Sequence, residues 1–192
     1  MQGPKGEGPH PSTPGPPGYP KIDLQRMWAQ REQFVQLAPQ HQVLARLAGV
    51  WKVKTNFDFG GYGPNFSAEG RQISTLIHNG RFLESRLQVQ FAGHEYSSFS
   101  VTGFDTVVGK FQTVIFDTDT NGMANLEGDW EEATESIREF GEISNPMFRT
   151  RHDIALHRKF SNPDKVKIRV SVPDMEGKFF DYLVADLTRE KS

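Results

Sequence analysis

Residues 71 to 91 read RQISTLIHNGRFLESRLQVQF, two period-two runs joined by Asn79-Gly80. An Asn-Gly pair is the strongest short hairpin signal, because a tight two-residue turn needs positive φ at both positions and these residues tolerate it. The turn sets the register. His78 faces Arg81, Leu76 faces Leu83, Ser74 faces Ser85, Gln72 faces Leu87 and Gly70 faces Val89. These pairs share one surface. Leu83, Leu87, Val89 and Phe91 make it the more apolar side of the second run, so it is expected to point inward.

The same period of two continues outward from this hairpin. VWKVKTNFDF places Trp51, Val53, Thr55, Phe57 and Phe59 on one face and Lys52, Lys54, Asn56 and Asp58 on the other. KVKIRVSV opposes Val166, Ile168, Val170 and Val172 to Lys165, Lys167, Arg169 and Ser171. Each run has one buried and one wet face. Further strands are predicted near 65–78, 81–91, 95–104, 110–117, 122–131, 135–143, 149–160 and 178–189. About ten antiparallel strands without a crossover helix imply an all-β, up-and-down meander, which removes its edges by closing into a barrel over about residues 50–189.

Ahead of the strands, residues 22–48 carry a helical pattern. Asp23 is placed to cap a first helix with Leu24, Met27, Trp28, Phe34 and Val35 at helical spacing. Pro39 suits the first turn of a second, whose apolar face is Val43, Leu44 and Leu47 and which Gly49 ends. The helices are expected to cover an end or side of the barrel. Residues 1–20 hold seven of the twelve prolines and five of the eighteen glycines, so they predict a disordered tail ahead of one domain over 21–192.

Charge and composition exclude several function classes. A net charge of -2 without a basic stripe argues against a nucleic-acid partner. No apolar run is long enough to span a membrane. With no cysteine, disulfides and thiolate chemistry are absent. The lack of an apolar signal segment suits a cytoplasmic chain, or an exported one whose signal has been removed.

The candidate site lies inside the barrel. The inward surface carries Gln72, Ser74 and Ser85 among Leu76, Leu87 and Val89, and polar groups on an apolar face need partners. They either bond one another and water, or line a ligand cavity. In FRTRHDIALHRKF the apolar face holds Phe148, Thr150, His152, Ile154, Leu156 and Phe160, whereas His157 falls with Arg149, Arg151, Asp153 and Lys159. His152 is then a core imidazole, a ligand partner or an axial ligand to haem. No metal site is predicted, and no cofactor beyond that haem alternative. FDTDTNG, residues 116–122, matches the opening of a calcium loop but lacks the closing Glu, which favours a hairpin connection. Asp105 and Asp117 read as turn carboxylates, and the remaining acidic residues as outward ones. No catalytic motif stands out.

HQVLARLAGVWKV, GRFLESRLQVQFAG, VTGFDTVVGKFQTVIFDTDTNG, LEGDW and the closing DLTR together resemble a bacterial family of unknown function, over about residues 38–189. Its pattern runs L-x-G-x-W, G-R-F-L, G-Y-D, D-x-x-x-x-G and a terminal T-R; Phe104 and Phe116 stand where tyrosine and isoleucine are usual. That family is similar to the lipocalin and fatty-acid-binding superfamily in its closed barrel, and to the haem-binding nitrobindins in strand number. Gly49-Val50-Trp51 is similar to the lipocalin G-x-W signature, which implies that Arg189 packs across Trp51. The expected function is binding of a small apolar or amphipathic ligand, contacted by Gln72, Ser74, Leu76, Ser85, Leu87, Val89 and His152. The alternatives are an isomerase or hydrolase acting in the same cavity with His152 as acid/base, and haem binding through His152.

Overall fold

The computed structural model of the protein describes residues 23–61, 63–91, 93–118, 120–145 and 149–191. The predicted tail, Asp119 and Phe148 lie outside them, as does the side chain of Phe91. Two compact units divide the chain, Met1–Gln36 and Leu37–Ser192. In the first, α1 (Leu24–Phe34) starts where predicted, with the Asp23 carboxylate accepting the Arg26 amide at 3.1 Å. Leu24, Met27 and Trp28 of this helix are exposed.

In the second unit α2 (Pro39–Leu47) precedes ten strands. These are β1 (Gly49–Phe57), β2 (Phe66–Ile77), β3 (Phe82–Phe91), β4 (His94–Asp105) and β5 (Lys110–Asp117), followed by β6 (Ala124–Glu131), β7 (Ser136–Asn145), β8 (Thr150–Asn162), β9 (Lys165–Pro173) and β10 (Phe179–Arg189). Every strand is antiparallel to its chain neighbours, and β1 pairs with β10 to close the barrel. The hairpin register is as predicted, from Gly70↔Val89 to Leu76↔Leu83, with φ of +58° at Asn79 and +85° at Gly80. No helix among the described residues is long and apolar enough to cross a membrane.

The two ends of the barrel differ. At the floor, Val43, Leu44 and Leu47 of α2 join Trp51, Leu83, Phe111, Ile137, Phe160, Val166 and Leu187 in one buried cluster. Trp51 is wholly buried, and its indole donates to the Leu47 carbonyl at 2.9 Å. The Arg189 guanidinium lies 4.1 Å from the Trp51 ring centroid, as the lipocalin likeness implied. It also donates to Ala48 O at 2.6 Å, Arg46 O at 2.8 Å and Pro163 O at 3.2 Å. Helices leave their last carbonyls without intrahelical donors, so Arg189 both caps α2 and ties β10 to β1. Its cation-π contact adds about 0.5–2 kcal/mol.

At the mouth, Phe57, Phe59, Phe66 and Tyr182 stack on one another with Tyr96 alongside, crowding the β1, β2, β10 side. The opposite side is lined by aliphatic Ile115, Ile143, Val170 and Val172.

Gly49 is the tightest point of the floor. Its φ is +131°, and a Cβ there would meet Arg189 Nη1 at 2.4 Å, on a guanidinium held by three carbonyls. Gly49→Ala is expected to lower the unfolding free energy by about 1–3 kcal/mol in urea titration. An unchanged midpoint would show that the floor does not depend on this close approach.

Candidate functional site

Alternation along the strands sends Gln72, Ser74, Leu76, Ser85, Leu87 and Val89 inward, and their partners place them. Gln72 Nε2 donates to Ser74 Oγ at 2.9 Å, and the Ser74 and Ser85 hydroxyls share a 2.9 Å bond. These three form one row on β2 and β3. Leu76 packs toward the floor, Val89 into the aromatic mouth cluster, and Leu87 against both. His152 pairs with Ile143, at the opposite end of β8 from the floor residue Phe160. Ser74 pairs with Gly49 at the floor end of β1, so His152 stands at the other end of the barrel.

The His152 ring is engaged there. Its Nε2 is 2.7 Å from Thr150 Oγ1, so an iron atom would have to displace that hydroxyl to bind this nitrogen.

Two charged residues occupy the interior that sequence reading missed. Glu139 is fully buried and Arg158 is 6% exposed, and the Arg158 guanidinium donates to the Glu139 carboxylate. Thr113 donates to Glu139 Oε1 at 2.6 Å, which uses its one proton and makes Thr102 the donor in the 2.8 Å Thr102–Thr113 bond. Arg158 Nη2 reaches both hydroxyls, at 3.3 and 3.2 Å. The bond from β7 to β5 has to cross β6. It can because Gly128, which pairs with both Phe111 and Glu139, has no side chain. A Cβ there would lie 1.7 Å from the Arg138 carbonyl oxygen.

The expectation that the acidic residues point outward is thus corrected at Glu139, where Ile137 and Ile143 fix the inward phase of β7 and leave Phe140 62% exposed outside. The signal was available on β8: Leu156 and Phe160 both point inward, which forces Arg158 inward, and a buried guanidinium requires a carboxylate.

Above the floor the inward residues are unevenly covered. Leu87, Ser98, Ser100, Ile115, Ile168, Val170 and Leu183 are all half-buried, although Val53, Thr55 and Leu156 on the same surface are buried. The Ser98 and Ser100 hydroxyls make no side-chain hydrogen bond among the described residues, nor does the Gln72 carbonyl oxygen.

The remaining titratable candidates serve the framework. Asp105 accepts the Val107 amide at 2.7 Å, and Asp117 the Thr120 amide at 2.9 Å, both as turn side chains. Glu139, an inward carboxylate, bonds Thr113 and Arg158. His157 points outward between Arg138 and Arg169, its cross-strand neighbours, and its Nε2 is buried without a partner. Burial first, then the charges of Arg138 and Arg169, push its pKa down.

A family profile described as "Protein of unknown function (DUF1579)" matches residues 36–189, which is α2 and the whole barrel. The chain belongs to this DUF1579 family. No curated protein matches it. Among solved structures, Rv2717c from M. tuberculosis superimposes on this DUF1579 barrel with a TM-score of 0.59 at 17% identity, over 81% of this chain and 100% of that one. That likeness shows the fold alone. A redesigned beta barrel aligns at a TM-score of 0.38 and 13% identity, over 78% of this chain and 96% of that one.

Two stability measurements follow from the site. Glu139→Gln leaves Arg158 buried without its counter-charge and is expected to cost about 3–5 kcal/mol, whereas Glu139→Leu combined with Arg158→Met recovers most of that loss. Equal stability of the two variants in denaturant titration would contradict the pairing. For His157, a folded pKa below the unfolded value means that the unfolded chain binds more protons, so stability is present above about pH 6.5 and falls with pH below it. His157→Gln is expected to flatten that part of the decline, read as the urea midpoint between about pH 7.5 and 5.5. A slope unchanged by the substitution would contradict it.

Proposed function

We propose that the protein is a non-enzymatic binding protein that holds a small, largely apolar molecule in the mouth half of its barrel. One observation carries this reading: inward side chains from Leu87 round to Val170 and Leu183 are half-buried, although the barrel wall is closed around them. Backbone exposure on the outer surface does not account for it, because Val53 and Thr55 share that wall at 1% exposure each. We take that exposure to open on the lumen. An apolar wall left in contact with water gains about 25 cal/mol per Å² when a ligand covers it. The Ser98 and Ser100 hydroxyls supply the few polar contacts that orient a bound molecule in such a pocket, and the Gln72–Ser74–Ser85 row borders it on the floor side. His152 stands at the rim, where it contacts a ligand entering or leaving.

Nile red, an uncharged dye that brightens in apolar surroundings, tests the proposal directly. It is expected to bind with one site per chain, and Ser100→Phe, which fills the lumen, to weaken it by about ten-fold or more. Val107→Ser, in an exposed turn far from the lumen, serves as the control and should leave the dye affinity unchanged. Absence of binding, or binding indifferent to Ser100→Phe, overturns the reading.

A further inference from the structure

Resting on that binding reading, we infer that the lumen selects an uncharged ligand carrying one hydrogen-bonding head group, such as a long-chain alcohol, ester or ketone, and rejects free carboxylates. The inference comes from the charge inventory of the interior. Between floor and rim, the charged inward side chains among the described residues are Glu139 and Arg158, which neutralise each other, and at the rim Asp117 stands opposite Ser98 and accepts from the Tyr96 hydroxyl at 3.4 Å and the Thr120 amide at 2.9 Å. Barrels can receive an acidic head group on an inward arginine only if that arginine has charge to spare. Here Arg158 donates to Glu139 through one nitrogen and to Thr102 and Thr113 through another. Its side chain is 8% exposed and that of Glu139 not at all.

A fatty carboxylate entering this space would place a second anion on one guanidinium, beside Glu139. Either it stays unpaired in an apolar wall, or it displaces Glu139 and strands that carboxylate instead; both leave an uncompensated buried charge. The groups left over for a ligand are all neutral: the Ser98 and Ser100 hydroxyls, which both donate and accept, and the Gln72 carbonyl oxygen, which accepts. An alcohol satisfies all three kinds of contact, and an ester or ketone oxygen accepts from the serines. The Glu139–Arg158 pair then acts as a selectivity device. It supplies a polar, preorganised wall without net charge, and so offers an entering carboxylate no free counter-charge.

The test compares molecules that differ in charge and hardly in shape. Full-length protein is loaded with Nile red at about pH 8, and 1-dodecanol, methyl dodecanoate and dodecanoate are added as competitors below their aggregation limits. The alcohol and the ester are expected to displace the dye at concentrations at least about ten-fold lower than the acid. Glu139→Gln keeps the shape and the acceptor for Thr113 but frees the Arg158 charge, and it is expected to raise dodecanoate affinity about ten-fold or more while the alcohol changes little. If that variant does not fold, the wild-type comparison decides alone. Dodecanoate binding as well as its methyl ester to wild-type protein overturns the inference and leaves the binding reading intact. Failure of Nile red and of all three competitors to bind overturns the binding reading itself.

Discussion

The barrel depends on one contact, the Arg189 guanidinium lying over Trp51. Arg189 ends the last strand and Trp51 belongs to the first, so their stacking fastens the seam where β1 meets β10. The same guanidinium takes the terminal carbonyls of α2 and so holds Leu44 and Leu47 against the floor. One flat cation thus satisfies a helix end, covers an indole and joins the two ends of the sheet. Gly49 is the residue that lets it come so close.

With one end sealed in this way, the burden of filling the interior falls unevenly. The floor half is packed with large apolar side chains, whereas the middle is occupied by Glu139, Arg158, Thr102 and Thr113, and the mouth half mixes buried Phe57, Val89, Ile154 and Leu156 with half-buried neighbours. A buried ion pair gains little net stability over apolar residues of similar size, because desolvating both charges offsets their attraction. The pair is held from four strands, β4, β5, β7 and β8, so its geometry is set by the framework before any ligand arrives.

Much of this fold was legible because β-structure announces itself through period two and turn chemistry. Asn79-Gly80 pinned the register of β2 against β3, and with it the row Gln72–Ser74–Ser85. Pro39 and Asp23 marked the helix starts. The ion pair was harder to read. Glu139 sits next to Phe140, and hydrophobicity taken residue by residue puts the phenylalanine inside; the phase set by Ile137 and Ile143 overrides it. Pairing across β6 depends on the missing side chain of Gly128, a relation between strands that no local window contains. His152 could be placed on the inward face but not along the barrel axis, since alternation gives the face of a residue and not its height.

Where a ligand sits is what distinguishes this view of the molecule from that of a barrel that is merely a scaffold. Methyl-labelled protein titrated with methyl dodecanoate and followed by NMR measures it. The expected shifts fall on Leu87, Ile115, Ile168, Val170 and Leu183, around the mouth half of the lumen, while Val107, Val108 and Met175 on the outer turns stay still. Shifts confined to the outer surface, or none at saturating ester, would contradict a ligand-holding interior.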